Sequence, residues 1–167
     1  MNKFQLTRIG EFHTDHNEDN LLITEIGNEK TVIAVMDGCS MGTESFFAST
    51  LLKKIIQKTS KELHYKEFIL RNIYSIEETL NLVLENIVKQ LQLIKNELDL
   101  SINELLSTLI LGIINSTNKE ARIIVIGDGL ISINGQIHEF DQDNKPDYIE
   151  VLSNSIAENL KNVNYVS

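Results

Sequence analysis

The sequence predicts an α+β fold in which antiparallel sheets are layered against helices. Three observations carry this. Short apolar stretches with strand periodicity occur toward both ends of the chain. Between them, from about residue 43 to 98, the apolar spacing changes to three and four. Successive strand stretches are joined by turns too short to hold a crossover helix, so they pair as hairpins and not as βαβ units.

Residues 3–9 alternate roughly with period two and read as a first strand. Residues 10–19 are polar, without periodicity, and read as a loop. Residues 20–27 form a second strand, and Asn28-Glu29 turns tightly after Gly27. Residues 30–36 are continuously apolar after Thr31, as expected of a strand buried on both faces. The last two strands are close enough to be a hairpin. After Asp37-Gly38, Phe47, Leu51 and Ile55 lie four apart, with Ala48, Leu52 and Ile56 beside them. This predicts an amphipathic helix over about 43–60, and residues 61–74 are open between helix and loop. Ser75 and Glu78 have capping-box spacing. Leu80, Leu84, Ile87, Leu91, Ile94 and Leu98 then trace one face of a second helix. Residues 106–115 and 120–126 form another hairpin around Ser116–Lys119. Asn134-Gly135 joins 130–133 to 136–140, because Asn-Gly suits a two-residue hairpin turn. Residues 150–167 carry no pattern that assigns them.

A chain of 167 residues can build one domain with a core. There is no internal repeat, no Gly/Ser-rich linker and a single proline, Pro146, so 1–167 reads as one domain. Lys and Arg number 15 against 24 Asp and Glu, a net charge of −9. That balance argues against a nucleic-acid partner, which calls for a basic surface. No apolar run is long enough to span a bilayer, and Met1–Leu6 lacks a signal-peptide core, so no membrane is expected and the cytoplasm is the default location. The lone Cys39 excludes an intramolecular disulfide and a cysteine zinc cage, and it reads best as a small packed residue.

Acidic residues gather at strand ends and in loops: His13–Asn20, Asp37-Gly38, Gly127-Asp128-Gly129 and Asp141–Asp147. Taken singly, each is an ordinary turn or solvated loop. His64 and His138 read as surface positions on a helix and a strand. Asp37 and Asp128, however, each follow an apolar strand directly, where a carboxylate is costly without a partner. A hard divalent cation suits carboxylates and a backbone carbonyl, and glycine beside the Asp lets the chain turn sharply. There is no nucleophile elbow and no phosphate-binding P-loop, and no His stands placed as base for Ser40.

In order and spacing these clusters resemble the type 2C, or PPM, family of metal-dependent Ser/Thr protein phosphatases. The resemblance is carried by Gly10, His13 and Asn17-Glu18-Asp19-Asn20; by the apolar strand Val32–Met36 ending in Asp37-Gly38 with Gly42 beyond; by Ser107-Thr108-Leu109; by Val125-Ile126-Gly127-Asp128; and by Asp143-Asn144-Lys145-Pro146. It covers residues 5–148. It implies an antiparallel β-sandwich flanked by helices, with a site for two Mg²⁺ or Mn²⁺ ions at one sheet end. It assigns Asp37 as the bridging ligand and Gly38 as a carbonyl ligand. Glu18 and Asp19 bind from the side, and Asp128 sits at the edge near a third ion. His13 stands where the family often has a phosphate-binding Arg, and both His13 and Asp37 are expected in catalysis. The reaction implied is in-line attack of activated water on a phosphoserine or phosphothreonine of a protein substrate.

Some positions depart from the family pattern. His13 is a shorter and only partly charged donor at neutral pH. Cys39 replaces the His that usually follows Asp-Gly. The family's last third supplies two further metal carboxylates, and the chain ends at Ser167 before either; Asp141, Asp143 and Asp147 match a different stretch. The expectation is a fragment of a longer phosphatase or a shortened relative, incomplete at its C-terminus. Such a chain should expose a sheet edge that supports a homodimer. The alternative is a catalytically silent PPM-like module that works by binding a protein partner, and a plain acidic α+β interaction domain is a third reading.

Overall fold

The computed structural model describes residues 2–9, 16–39, 44–141 and 164–166. Strands β1 (Asn20–Ile26) and β2 (Lys30–Met36) come first, then helices α1 (Ser45–Leu70) and α2 (Ile76–Leu98). A 3₁₀ turn, Ile102–Glu104, leads into β3 (Leu109–Asn115) and β4 (Glu120–Ile126). Strands β5 (Gly129–Ile133), β6 (Gln136–Phe140) and β7 (Asn164–Val166) follow. Among the described residues the architecture is α+β, with antiparallel sheets and two α-helices. One sheet has the order β1-β2-β3-β4-β7, and β5 and β6 pair by themselves.

The hairpins form where turn chemistry permits. Gly27 and Glu29 take positive φ (59° and 57°) between β1 and β2. Asn134 and Gly135 both take positive φ (52° and 84°), the twist that a two-residue hairpin requires. Ser75 caps α2 with both halves of the capping box in place: its hydroxyl accepts from Glu78 N at 3.1 Å, and its own N–H donates to Glu78 Oε2 at 2.8 Å.

The core lies between the helices and one face of the larger sheet. Leu22, Val32, Ala34, Met36, Leu109, Leu111, Ile124 and Ile126 fall on that face by register and are buried. Leu52, Ile55, Ile56 and Leu63 of α1 and Leu80, Val83, Leu84, Ile87, Val88 and Leu91 of α2 close over it. Each fully buried Leu or Ile stabilises the fold by roughly 1.5–3 kcal/mol before conformational entropy is charged against it. On the far face, Gly129 at the start of β5 approaches Ile110 so closely that a Cβ would lie 2.7 Å from Ile110 Cδ1. The small hairpin therefore begins against the far side of β3.

Two expectations are corrected, and one open reading is settled. Residues 3–9 are not a strand: they carry no regular secondary structure, and Phe4 and Leu6 are 88% and 89% exposed. Alternation supplies a face, but a strand also needs a neighbour to accept its ladder, and no described strand pairs with this segment. The stretch left open beyond residue 60 is settled as helix, since α1 continues to Leu70. Thr59 and Ser60 interrupt the apolar stripe, yet both are buried, with hydroxyls donating to Ile55 O and Ile56 O at 2.8 Å. The strand expected over 106–115 begins at Leu109, because Leu106–Thr108 bond instead to the loop after β2.

Candidate functional site

Antiparallel register brings four of the singled-out segments to one end of the larger sheet. Asn20 pairs with Met36, so Glu18 and Asp19 precede β1 where Asp37 and Gly38 follow β2. Val35 pairs with Ile110, which sets Ser107 and Thr108 beside the same loop. Leu109 pairs with Ile126, and the chain then turns at Gly127 (φ 87°) into Asp128. Positions separated by up to 110 residues in sequence thus share one rim.

Hydrogen bonds hold the rim together through its backbone. Gly38 N donates to Glu18 O at 3.3 Å, joining the two loops. Asp37 O accepts from Thr108 N and from Ser107 Oγ, both at 2.9 Å, and Asp37 N donates to Thr108 Oγ1 at 3.3 Å. Cys39 N donates to Leu106 O at 3.2 Å. The Gly38–Ser107 bridge is thus made through Cys39 N and Asp37 O, and neither bond engages the Gly38 carbonyl. Ser107 and Thr108 are buried, so the small hydroxyls at the start of β3 act as clamps on the Asp37 backbone.

A second clamp comes from α1, and sequence reasoning missed it. Ser49, fully buried, donates to Glu18 O at 2.6 Å, with Phe46 O at 3.1 Å as its other acceptor. Asn20 Nδ2 donates to Ser49 Oγ and to Thr50 Oγ1, each at 3.1 Å, while Lys53 Nζ donates to Asn20 Oδ1 at 3.2 Å. The visible signal is a serine beside Ala48 on the buried stripe of α1, where the helical period asks for an apolar residue. Asp19 N donates to Asn17 Oδ1 at 3.1 Å, which turns the loop, and the His16 ring sits 4.5 Å from that of Phe46.

The side chains themselves are less tightly gathered than their backbones. Asp19 and Asp37 are exposed, and Glu18 and Asp128 are half-buried. Among the described residues, no group of three or more His, Cys, Asp and Glu side chains stands close enough to hold a metal ion. The donor chemistry nonetheless fits a hard divalent cation: carboxylates and a carbonyl on adjoining loops, with no thiolate or imidazole required. His13, Asp143 and Asp147 lie outside the described residues. Cys39 is buried, as a packed residue. His64 is exposed on α1, and its Nδ1 lies 3.1 Å from the Gly27 carbonyl. No helix among the described residues is long and apolar enough to cross a membrane.

The fold is that of known phosphatases. The Ser/Thr phosphatase Stp1 of Staphylococcus aureus superposes with a TM-score of 0.59 at 18% identity, over 83% of this chain and 52% of that one. A variant of a bacterial serine phosphatase gives 0.62 at 17% identity, over 89% of this chain and 64% of its own. A sex-determining protein of C. elegans gives 0.53 at 19% identity, over 81% of this chain and 32% of its own. The chain therefore spans between about half and two-thirds of the length of the two bacterial phosphatases. No curated protein sequence matches it significantly. Residues 12–162, nearly the whole chain, match the family model for protein phosphatase 2C. The chain belongs to the protein phosphatase 2C family.

Proposed function

We propose that residues 1–167 form one phosphatase-like domain and that the shared rim of Glu18, Asp19, Asp37, Gly38 and Asp128 is the metal-binding end of a phosphoserine/phosphothreonine phosphatase. The observation that carries the reading is the pair of bonds joining Glu18 O, Gly38 N, Asp37 O and Thr108 N across three strand ends. In this reading Asp37, the Gly38 carbonyl and the Glu18 and Asp19 carboxylates would hold Mg²⁺ or Mn²⁺, with Asp37 the ligand expected to be shared between two ions. Asp128 borders the site, and His13 orients the phosphate. The cations, when bound, activate water and neutralise charge developing on the phosphoryl group. Ser107, Thr108 and Ser49 fix the two loop backbones so that the carboxylates need little reorganisation.

The test is a Mn²⁺ titration by calorimetry alongside hydrolysis of p-nitrophenyl phosphate. With this ligand set the expected Kd is in the millimolar range, about 4 kcal/mol of binding. Turnover by residues 1–167 should be very low and Mn²⁺-dependent. Asp37→Asn should abolish both signals, because an amide neither bridges two cations nor offsets their charge. Full Mn²⁺ binding and turnover in a folded Asp37→Asn variant would overturn the assignment.

The alternative reading is a catalytically silent relative that binds a protein partner. Its support is the dispersal of metal-ligating side chains among the described residues and Cys39 in place of the family's His. It expects no Mn²⁺ heat at all while a phosphoprotein or protein partner still binds. Self-association through an exposed sheet edge is a separate proposal: among the described strands β1 is an outer strand of the larger sheet, where a second copy could add. Sedimentation showing only monomer at high concentration would count against that.

A further inference from the structure

Four side chains beside the rim form a hydrogen-bonded relay whose direction is fixed from one end. Ser49, Thr50 and Lys53 lie close together on α1, and all three bond to the Asn20 side chain at the start of β1. Lys53 is half-buried, and its ammonium can only donate. It donates to Asn20 Oδ1 at 3.2 Å; a reversed amide would set Nδ2 against that ammonium, donor against donor. The Asn20 amide is therefore held with Nδ2 toward Ser49 and Thr50, and its two hydrogens go to Ser49 Oγ and Thr50 Oγ1.

The consequence falls on Ser49. Its hydroxyl is fully buried, accepts from Asn20 and has one proton to give. Of its two acceptors, Glu18 O at 2.6 Å is nearer than Phe46 O at 3.1 Å. Glu18 O also accepts from Gly38 N at 3.3 Å, so this one carbonyl joins α1, the loop before β1 and the loop after β2. Each bond in the relay polarises the next, and the first is charge-assisted. Without the ammonium the Asn20 amide is free to turn over. Its Oδ1 then competes for the Ser49 proton, and Glu18 O loses its shorter bond.

We propose that Lys53 is a positioning residue for the metal-binding end: through Asn20 and Ser49 it holds the Glu18–Asp19 loop against Gly38. The effect on metal rests on the phosphatase reading of this rim, whereas the effect on the loop does not. Simple charge makes the opposite forecast for the metal. Removing a cation from beside a divalent-ion site relieves repulsion and tightens binding, but loss of positioning weakens it.

The test has two readouts on the whole chain: hydrogen exchange of the Gly38 amide by NMR in metal-free protein, and Mn²⁺ affinity from the free-ion EPR signal. Lys53→Met keeps the alkyl stem and removes the donor. Gly38 exchange should quicken, and the Mn²⁺ Kd should rise, each by about fivefold, the size of one lost hydrogen bond. Ile113, in the middle of the central strand β3, should exchange as in the wild type. Lys53→Arg restores a donor and should return both readouts to within about twofold of the wild type. Lys54→Met removes the same charge from an exposed neighbouring position and should leave Gly38 exchange within about twofold. Asn20→Asp keeps an acceptor for Lys53 but cannot donate to Ser49, so it draws the Ser49 proton away from Glu18 O. It should quicken Gly38 exchange as Lys53→Met does. Unchanged Gly38 exchange in Lys53→Met or Asn20→Asp, acceleration shared equally by Ile113, or no rescue by Lys53→Arg would each overturn the proposal. Unchanged or tighter Mn²⁺ binding by Lys53→Met would overturn its metal part. A wild type that binds no Mn²⁺ would overturn the phosphatase reading and that part with it, and Gly38 exchange would still decide whether Lys53 positions the loop.

Discussion

The two ends of the larger sheet solve opposite problems with carboxylates. At the Asp37 end, backbone groups and buried hydroxyls join the loops, and the Asp19 and Asp37 side chains are exposed. At the Gly27 end a carboxylate is consumed. Glu67 is buried at 6% exposure, pairs with Lys30 (4% exposed) at 2.5 Å, and closes the β1–β2 turn onto α1. Lys30 also donates to Tyr74 O at 2.5 Å, which ties the α1–α2 link to the same knot. One end buries its carboxylate to hold the fold, whereas the other carries Asp19 and Asp37 at the surface on loops joined through their backbones. The comparison predicts that substitutions at the two ends separate stability from ligand binding.

The largest effect is expected at the knot. Lys30→Met leaves Glu67 buried without its cation, and Glu67→Ala leaves the buried Lys30 without its counter-charge and the Asn28 and Tyr74 N–H groups without their acceptor. Each should cost about 3–5 kcal/mol. Urea unfolding of both single variants and of Lys30→Met/Glu67→Leu tests the coupling. The double variant should recover only part of the loss, because Asn28 N and Tyr74 N still lack an acceptor. Gly27→Ala should also be costly: φ is 59° there, and an added Cβ would run into the Glu67 carboxylate. If either single variant unfolds like the wild type, the knot is not structural.

At the other end the strongest effect is expected from Ser49→Ala, which removes the donor to Glu18 O and an acceptor for Asn20. A loss of about 1–2 kcal/mol is expected, with weaker Mn²⁺ binding if the proposed site is right. A drop in stability with unchanged metal affinity would mean that the clamp serves the fold alone.

These positions also show what a sequence can and cannot disclose. The β2 range, the Asn134-Gly135 hairpin and the Ser75/Glu78 box were legible because each depends on neighbours in the chain. The rim was legible as separate Asp-Gly and small-hydroxyl strand ends, and the family pattern put them in order. The knot was not legible. Glu67 occupies a buried-stripe position in a stretch whose local pattern leaves helix and loop open, and its partner lies 37 residues away. Residues 3–9 failed in the opposite sense, since alternation promised a strand that no described neighbour pairs.

Ser75→Ala removes one half of the capping box on α2, next to the Tyr74 carbonyl of the knot, and should cost about 1 kcal/mol. Its pH dependence follows from Glu78. The backbone N–H of Ser75, and then its hydroxyl, hold the Glu78 carboxyl below the ordinary range. A carboxyl depressed in the folded state stabilises fully above its unfolded pKa, and that contribution is lost as pH falls through the folded value. Wild type should therefore lose more stability on acidification than Ser75→Ala. Denaturation midpoints that fall in parallel for the two proteins would show that the box does not titrate as described.

The smallest effect on stability is expected at Asp37 itself, and that smallness is the sharpest contrast with Glu67. Asp37 is exposed, and its N–H and carbonyl are bonded to Thr108 and Ser107, contacts that the near-isosteric Asp37→Asn retains. The change in unfolding free energy should stay within about 0.5 kcal/mol, as for other surface substitutions. Mn²⁺ should stabilise the wild type by raising its unfolding midpoint, since a ligand of the native state shifts the equilibrium by mass action. At ten times a millimolar Kd that shift is about 1.4 kcal/mol. Asp37→Asn should show none of it, while Ser75→Ala should show all of it. A variant that melts like the wild type in chelator yet no longer responds to Mn²⁺ separates the two ends of the sheet. A variant that unfolds early in both conditions would make Asp37 a structural residue like Glu67, and the two ends would no longer differ in kind.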